Sequence, residues 1–402
     1  MRIARSKGDF ALQKEEKKVE YLELIYDLIF VYIIGRNNSL LRHVEGGFVT
    51  GSTFLVYVFC TLAVIQIWNF STYYINMHGR NGIRDHIALL MNMYLLYYIG
   101  DAIGPHWDGY QKKFHVAWAL ILINLGVQYA IELRSHRGRP AEERSCKRMM
   151  TVLFGEAALV LAVLPVYNRT GMFLAALPIL YGMATTRLFS DENRAERVDF
   201  PHLSERAMLY VVFTFGEMII VIASYFDEAF TLNSVYFSAM CFLIVVGLFL
   251  CYEVLYDRII DREMKTTGIN YMIIHIFLIF ALNNITTSLE FMRDEQVLLW
   301  PKILFLIGSL LLYYFCLFAL QLYAKEEFRL CRRFMGPIVV TTILFVGAMI
   351  LLRENMRLNI LISAVYSFAM FLEIWRFSRG SQPGPAGRGM RSQPGPAGRH
   401  RK

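Results

Sequence analysis

The sequence predicts an all-α, polytopic membrane protein of about twelve transmembrane helices, and three observations carry that expectation. Of its 402 residues 56% are hydrophobic and only 18% are charged, whereas ordinary soluble domains are roughly 45–50% apolar and about 25% charged. Apolar runs of about 20 residues, the length that crosses a ~30 Å hydrocarbon layer at ~1.5 Å per residue, recur along almost the whole chain. The Lys and Arg residues collect in alternate loops between those runs, which is a topology signal rather than a binding face.

Taken in order, the apolar runs fall near 19–41, 48–74, 85–104, 113–133, 148–167, 171–188, 204–226, 234–257, 268–289, 299–323, 335–352 and 358–377. The narrowest division is at Tyr167 to Thr170, between Pro165 and Gly171, and a hairpin is expected there because one uninterrupted helix would be too long for a membrane. Nine of the 41 Lys and Arg lie in the loops assigned to the outside, among them Arg36, Arg42, Lys112 and Lys113. The rest lie on the other side, so both termini are expected in the cytoplasm.

Three segments follow. Residues 1–18 are a basic cytoplasmic N-terminal segment, residues 19–377 form the transmembrane domain, and residues 378–402 are expected to be a flexible cytoplasmic tail. That tail repeats SQPGPAGR at 381–388 and 392–399, a Pro/Gly/Arg-rich composition unable to bury a core. The basic start lacks the short apolar core and small-residue cleavage site of a signal peptide, so the first helix is expected to be retained. The first and seventh helices both carry acidic residues in their early turns, and the second and eighth both end in aromatic and polar runs, Trp68 to Asn76 and Tyr252 to Asp257. Two parallel six-helix halves are one reading of this likeness and coincidence is the other.

Several function classes are excluded. A net charge of +8 and a pI near 9.1 would fit nucleic-acid binding if the basic residues shared one soluble face, and they do not. Six cysteines without a CxxC pair, four of them inside apolar runs, point to apolar packing rather than to a disulfide framework. The absence of a phosphate loop, HExxH, GxSxG or dinucleotide fingerprint argues against an ATP-driven pump, and no metal and no cofactor are expected.

The informative residues are the ionisable ones inside apolar helices, because each costs about 2.5–3.5 kcal/mol near the bilayer centre unless it faces protein or water. In the first helix Glu16, Glu20, Glu23 and Asp27 follow at spacings of four, three and four, which stacks them on one face. Acids at a helix N-terminus are ordinary; Asp27, about 13 Å along from Lys18 at ~1.5 Å per residue, is too deep for that explanation. The seventh helix holds His202, Glu205, Arg206 and Glu217, with Glu217 three turns beyond Arg206 on nearly the same face. Glu205 with Arg206 also fits an interfacial ion pair, but Glu217, between Gly216 and Met218, does not.

Glu156 in the fifth helix and His275 in the ninth complete the main candidates for a polar cavity or proton and substrate site reaching the bilayer middle. A lone membrane histidine is more often a helix-to-helix hydrogen bonder than a ligand. Trp68, Tyr74, Asn76, Asp101, Arg187, Tyr252 and Asp257 are secondary candidates, Arg187 as a partner for one of the acids.

These residues carry a resemblance. LELIYDLIFVY at 22–32 is similar to the VELFFDLVFVF opening of the bacterial low-temperature-requirement protein A family, and HLSERAMLYVVFTFGEMII at 202–220 resembles its HFAERFGLFTIIALGESIV. The match carries Glu23, Asp27 and Phe30 in the first motif and His202, Glu205, Arg206, Leu209, Gly216, Glu217 and Ile219 in the second. Trp68, Tyr74 and Asn76, followed by Arg84 and Met91, resemble a third signature. The chain departs from the family after Asn76, with Met77, His78 and Gly79 where the family has Arg, Phe and an acid, and at Met218 where the family has Ser. The resemblance implies a bacterial inner-membrane protein tied by name to growth in the cold, and no particular reaction.

Three functions fit these residues. The first is a secondary, proton-coupled carrier whose buried carboxylates lie on the path of a small solute or ion. The second is an intramembrane enzyme on a lipid or lipid-linked substrate, with Glu217 or Asp27 as general base and His202 or Arg206 holding an anionic headgroup. The third is a sensor or scaffold whose polar network holds helices together. Membrane lipids are the expected partners in all three, and nucleic acid in none.

Overall fold

The computed structural model describes residues 18–104, 107–166, 172–189, 197–223, 231–328 and 332–380. Among them are twelve α-helices: α1 Tyr21–Asn38, α2 Gly51–His78, α3 Ile83–Ala102, α4 Trp107–Ser135, α5 Pro140–Val163, α6 Met172–Leu188, α7 Phe200–Ala223, α8 Leu232–Val254, α9 Ile269–Phe291, α10 Leu299–Ala319, α11 Arg332–Leu351 and α12 Met356–Gly380. Each overlaps one apolar run of the sequence. Glu16, most of the basic N-terminal segment, the division at 167–170 and the repeated tail lie outside the described residues.

Eight of these helices, α2, α4 and α7 to α12, are long and apolar enough to cross a membrane. The other four fall short for identifiable reasons. α1 carries Glu23, Asp27 and Arg36 within 18 residues, α3 carries Arg84, Asp85 and Asp101, α5 carries Lys147, Arg148 and Glu156 beyond its charged first turn, and α6 has 17 residues. Even so, α3 exposes Ile87, Leu90, Met91, Tyr94 and Tyr97 along one side, a stripe at helical spacing that water would penalise and lipid would not.

Local chemistry sets the element ends. The apolar run at 48 predicts helix from that point, but Phe48–Val49 pairs with Val44–Glu45 in a small hairpin, β2 with β1. Its two turn residues, Gly46 and Gly47, have φ of +64° and +90°, which glycine adopts without a Cβ penalty. Thr50 then caps α2 by accepting from the Thr53 amide at 3.3 Å, and Thr231 caps α8 from the Ser234 amide at 3.1 Å. α8 ends in a π-turn at Leu255–Ile259. Beyond it the Asp261 amide donates to the Tyr323 carbonyl at 2.8 Å and the Lys325 amide to the Ile259 carbonyl at 2.9 Å, which satisfies backbone at the ends of α8 and α10.

Packing follows a regular order. α1 packs on α2 and α3, α3 on α4, α4 on α5, α5 on α6, and α6 returns to α2; α7 packs on α8 and α9, α9 on α10, α10 on α11, α11 on α12, and α12 returns to α8. The two sets meet where α1 and α2 lie against α7 and α9. α1 and α7 therefore occupy the middle of the bundle, and their N-terminal ends share a face, since Glu23 meets His202 there. The ends of α2 and α4 lie at that face too, with the His78 and His136 rings 5.7 Å apart.

Candidate functional site

The site grows from two turns of helix. In α1, Glu23 and Asp27 are four residues apart and so project from one side; in α7, His202 and Arg206 have the same spacing. Side-by-side packing of the two helices brings the pairs together. The Arg206 guanidinium is fully buried against the Asp27 carboxylate, with Nε 3.4 Å from Oδ2 and Nη2 on Oδ1. Its Nη1 is 3.4 Å from Glu23 Oε2, and the same oxygen lies 3.4 Å from His202 Nε2. All four residues are buried, Glu23 being the most exposed of them at 4%.

Neighbouring helices hold this set in place. Trp68 Nε1 of α2 donates to Asp27 Oδ1 at 2.8 Å, and its ring packs 4.6 Å from that of Tyr210. Asn76, two turns further along α2, clamps the start of α7. Its Nδ2 donates to the Asp199 carbonyl at 2.7 Å and its Oδ1 accepts the Asp199 amide at 3.0 Å, while the Asp199 side chain caps the His202 amide at 3.2 Å. Asn76 Nδ2 is also 3.1 Å from His202 Nδ1, a pairing that assigns the imidazole proton to Nε2, on the Glu23 side. Asp199 was not visible as a site residue in the sequence, although an Asp just before an apolar helix is a cap signal.

A mixed-charge cavity opens onto this network. Its volume is about 330 Å³, and Lys18, Glu20, Glu23, Arg80, Asp85 and His86 are its polar walls, between α1, α2 and α3. Glu23 is thus the point where the buried network reaches a solvent-sized space.

Glu217 does not join this set. It stands about 16 Å along α7 from Arg206, eleven residues at ~1.5 Å each, and lies against α1 at Gly35, where a Cβ would come within 2.5 Å of its Oε1. Around that level is a second polar tier. Asn37 Nδ2 donates to the Tyr57 carbonyl at 2.9 Å and to Thr61 Oγ1 at 2.5 Å, Asn38 Nδ2 to Asn283 Oδ1 at 3.1 Å, and Tyr57 Oη to Asn284 Oδ1 at 2.7 Å. Beyond it Arg42 makes a two-bond pair with Glu290 at 2.7 and 3.0 Å.

The remaining candidates are dispersed. Glu156 is fully buried between α5 and α6, where Gln66 Nε2 donates to it at 3.5 Å and also to the Ile179 carbonyl at 3.2 Å; no cation pairs with it among the described residues. His275 uses both ring nitrogens, on Tyr252 Oη at 3.0 Å and on the Tyr271 carbonyl at 2.8 Å, and so joins α8 to α9. Glu205 is half-buried toward Tyr256, Asp101 pairs with Lys113, Arg187 donates to Asn270 Oδ1 at 2.5 Å rather than to an acid, and Asp257 is exposed in the π-turn.

Tyr74 leads to a cluster that sequence reasoning missed. Its ring packs edge-on against Tyr129, near His78, beside Glu132, a fully buried acid that pairs with Arg84 and, at 3.3 Å, with Arg80. A signal was present: Glu132 sits in the last turn of α4, where the helix dipole disfavours an acid and a cationic partner is needed.

A bundle of long apolar helices with buried ion pairs between its two central members defines an integral membrane protein of the helical class. The family model for the bacterial low temperature requirement A protein (LtrA) matches residues 18–372. The chain belongs to the LtrA family. No curated protein and no solved structure matches it.

Proposed function

We propose that this protein is a secondary carrier for a small charged solute, coupled to protons, in a state open to the cytoplasm. The observation that carries the reading is the cavity of about 330 Å³ that ends on Glu23, with the Asp27–Arg206 pair directly behind it. Two carboxylates there face one guanidinium, so the proton balance of Glu23 and His202 sets the charge of the network, and a solute ion entering from the cavity competes for the same groups. The face bearing the cavity is the cytoplasmic one under the positive-inside rule, and the membrane is the bacterial inner membrane, with twelve spans and both termini inside.

The twelve helices are two parallel six-helix halves in this reading. Support comes from packing partners that repeat in register, from α1 with α3 matched by α7 with α9 to α2 with α6 matched by α8 with α12, and from threonine caps on both α2 and α8. Such halves, with a site at their interface, are the architecture through which many carriers alternate access.

A second reading has one observation in its favour. A groove of about 440 Å³ runs between α1 and α3, lined by Ile29, Tyr32, Met93 and Tyr97 with Arg36 and Asp101 at one end, which suits an acyl chain with an anionic head. The deciding experiment is uptake and proton flux in liposomes holding wild type or Glu23→Gln, screened against a pool of small ions and solutes. A solute-dependent proton flux that the variant loses supports the carrier. No flux from folded wild type across the pool removes that reading and moves lipid substrates to the front.

A further inference from the structure

We propose that His78, Glu132 and His136 form a binding site for a divalent first-row transition metal ion, of which Zn²⁺ is the reference case, at the face that carries the cavity. One donor atom from each of the three lies within 4.8 Å of the other two, so a small closure puts all three at the ~2.0–2.2 Å of zinc bonds to nitrogen and carboxylate oxygen. Two imidazoles and a carboxylate select such ions over Mg²⁺ and Ca²⁺, which favour oxygen alone.

The surroundings fit a ligand set. His78 Nε2 is buried and has no hydrogen-bond partner among the described residues. His136 Nδ1 donates to the Glu132 carbonyl at 2.8 Å, the kind of outer bond that fixes the ring of a ligating imidazole and leaves Nε2 as its metal-facing atom. That Nε2 lies 2.9 Å from Glu142 Oε2 on the first turn of α5, a hydrogen bond that a metal ion replaces on binding, taking Glu142 as a fourth ligand. The rings of Tyr74 and Tyr129 pack around His78 at 5.8 and 5.4 Å and give the site an apolar wall.

The competing cations are also on hand. Arg84 holds one oxygen of Glu132, and Arg80, whose side chain is 64% exposed, lies 3.3 Å from the other. A metal ion on that second oxygen displaces Arg80, and Arg80 also lines the cavity at Glu23. Metal binding therefore changes the charge of the cavity wall. His78 stands where the family pattern that this chain resembles has Phe.

The test is Zn²⁺ and Co²⁺ titration of the purified full-length protein, with metal content, the visible Co²⁺ spectrum and thermal unfolding as readouts. Wild type is expected to take one Zn²⁺ per chain, to show Co²⁺ ligand-field bands and to unfold at higher temperature with Zn²⁺; excess Mg²⁺ leaves all three unchanged. His78→Phe, which preserves the aromatic packing, and His136→Gln are each expected to lose at least tenfold in affinity, and Arg80→Ala to bind as tightly as wild type or more so. Folded wild type that takes up neither ion overturns the proposal, as does binding that survives His78→Phe.

Discussion

Asp27 and Arg206 are each the seventh residue of their helix, α1 starting at Tyr21 and α7 at Phe200, and they meet as a fully buried pair at the centre of the bundle. Glu23 and His202 are likewise each third, and also meet. The same ordinal positions on two adjacent helices thus carry acids on one and basic side chains on the other, so the two helices pack against each other without opposing like charges.

Asp27→Asn leaves Arg206 buried with Glu23 as its remaining acid. Losing one partner of a buried pair costs roughly 3–5 kcal/mol, so the variant is expected to unfold at clearly lower temperature in the same detergent. Because the penalty is that of buried guanidinium N–H groups left without their carboxylate, Asp27→Asn combined with Arg206→Gln is expected to be less destabilised than the sum of the two single changes. Strict additivity in the thermal midpoints contradicts the pairing.

Asn76→Ala removes three hydrogen bonds around the start of α7 while leaving the ion pair intact. Loss of the clamp on Asp199 is expected to cost about 1–2 kcal/mol, the scale of a helix cap or a buried polar bond. Its signature is local. Amide exchange should speed up over residues 199–206 and not in α9, whereas equal acceleration in both helices means that Asn76 supports the bundle generally.

Trp68→Phe keeps an aromatic ring beside Tyr210 but withdraws the indole N–H from Asp27. A buried acceptor left short of one donor costs roughly 1–3 kcal/mol, and the same loss is expected to shrink in an Asp27→Asn background, where the acceptor is neutral. Equal losses in both backgrounds make Trp68 a packing residue only.

Helices were legible because a membrane demands runs of a set length, and Glu23, Asp27, His202 and Arg206 were legible because charge in such runs needs a partner. What a one-dimensional pattern cannot carry is which helices are neighbours. Glu217 shares a helical stripe with Arg206, so it reads as part of the same cavity, yet α1 turns Gly35 rather than Asp27 toward it. Glu132 and His78 lie 54 positions apart on helices that meet only in the fold, and His275 looks like a lone deep histidine until Tyr252 and the Tyr271 carbonyl occupy both its nitrogens.

Gly247 tests the packing of the second set of helices. A Cβ there would stand 2.7 Å from the Ser367 Cβ and 3.1 Å from its backbone carbon, so α8 and α12 approach as closely as small residues allow, with Ser367 on the facing side. Neither contact atom is the tip of a flexible side chain, so the helices themselves must part. Gly247→Ala is therefore expected to destabilise by about 1–3 kcal/mol, the usual cost of overpacking. Gly308 on α10 meets nothing within 4 Å, and alanine there is expected to be neutral or to stabilise by up to ~1 kcal/mol through helix propensity alone. Thermal midpoints of the two variants side by side check the contrast, and a Gly247→Ala protein as stable as Gly308→Ala means that α8 and α12 are not in close contact.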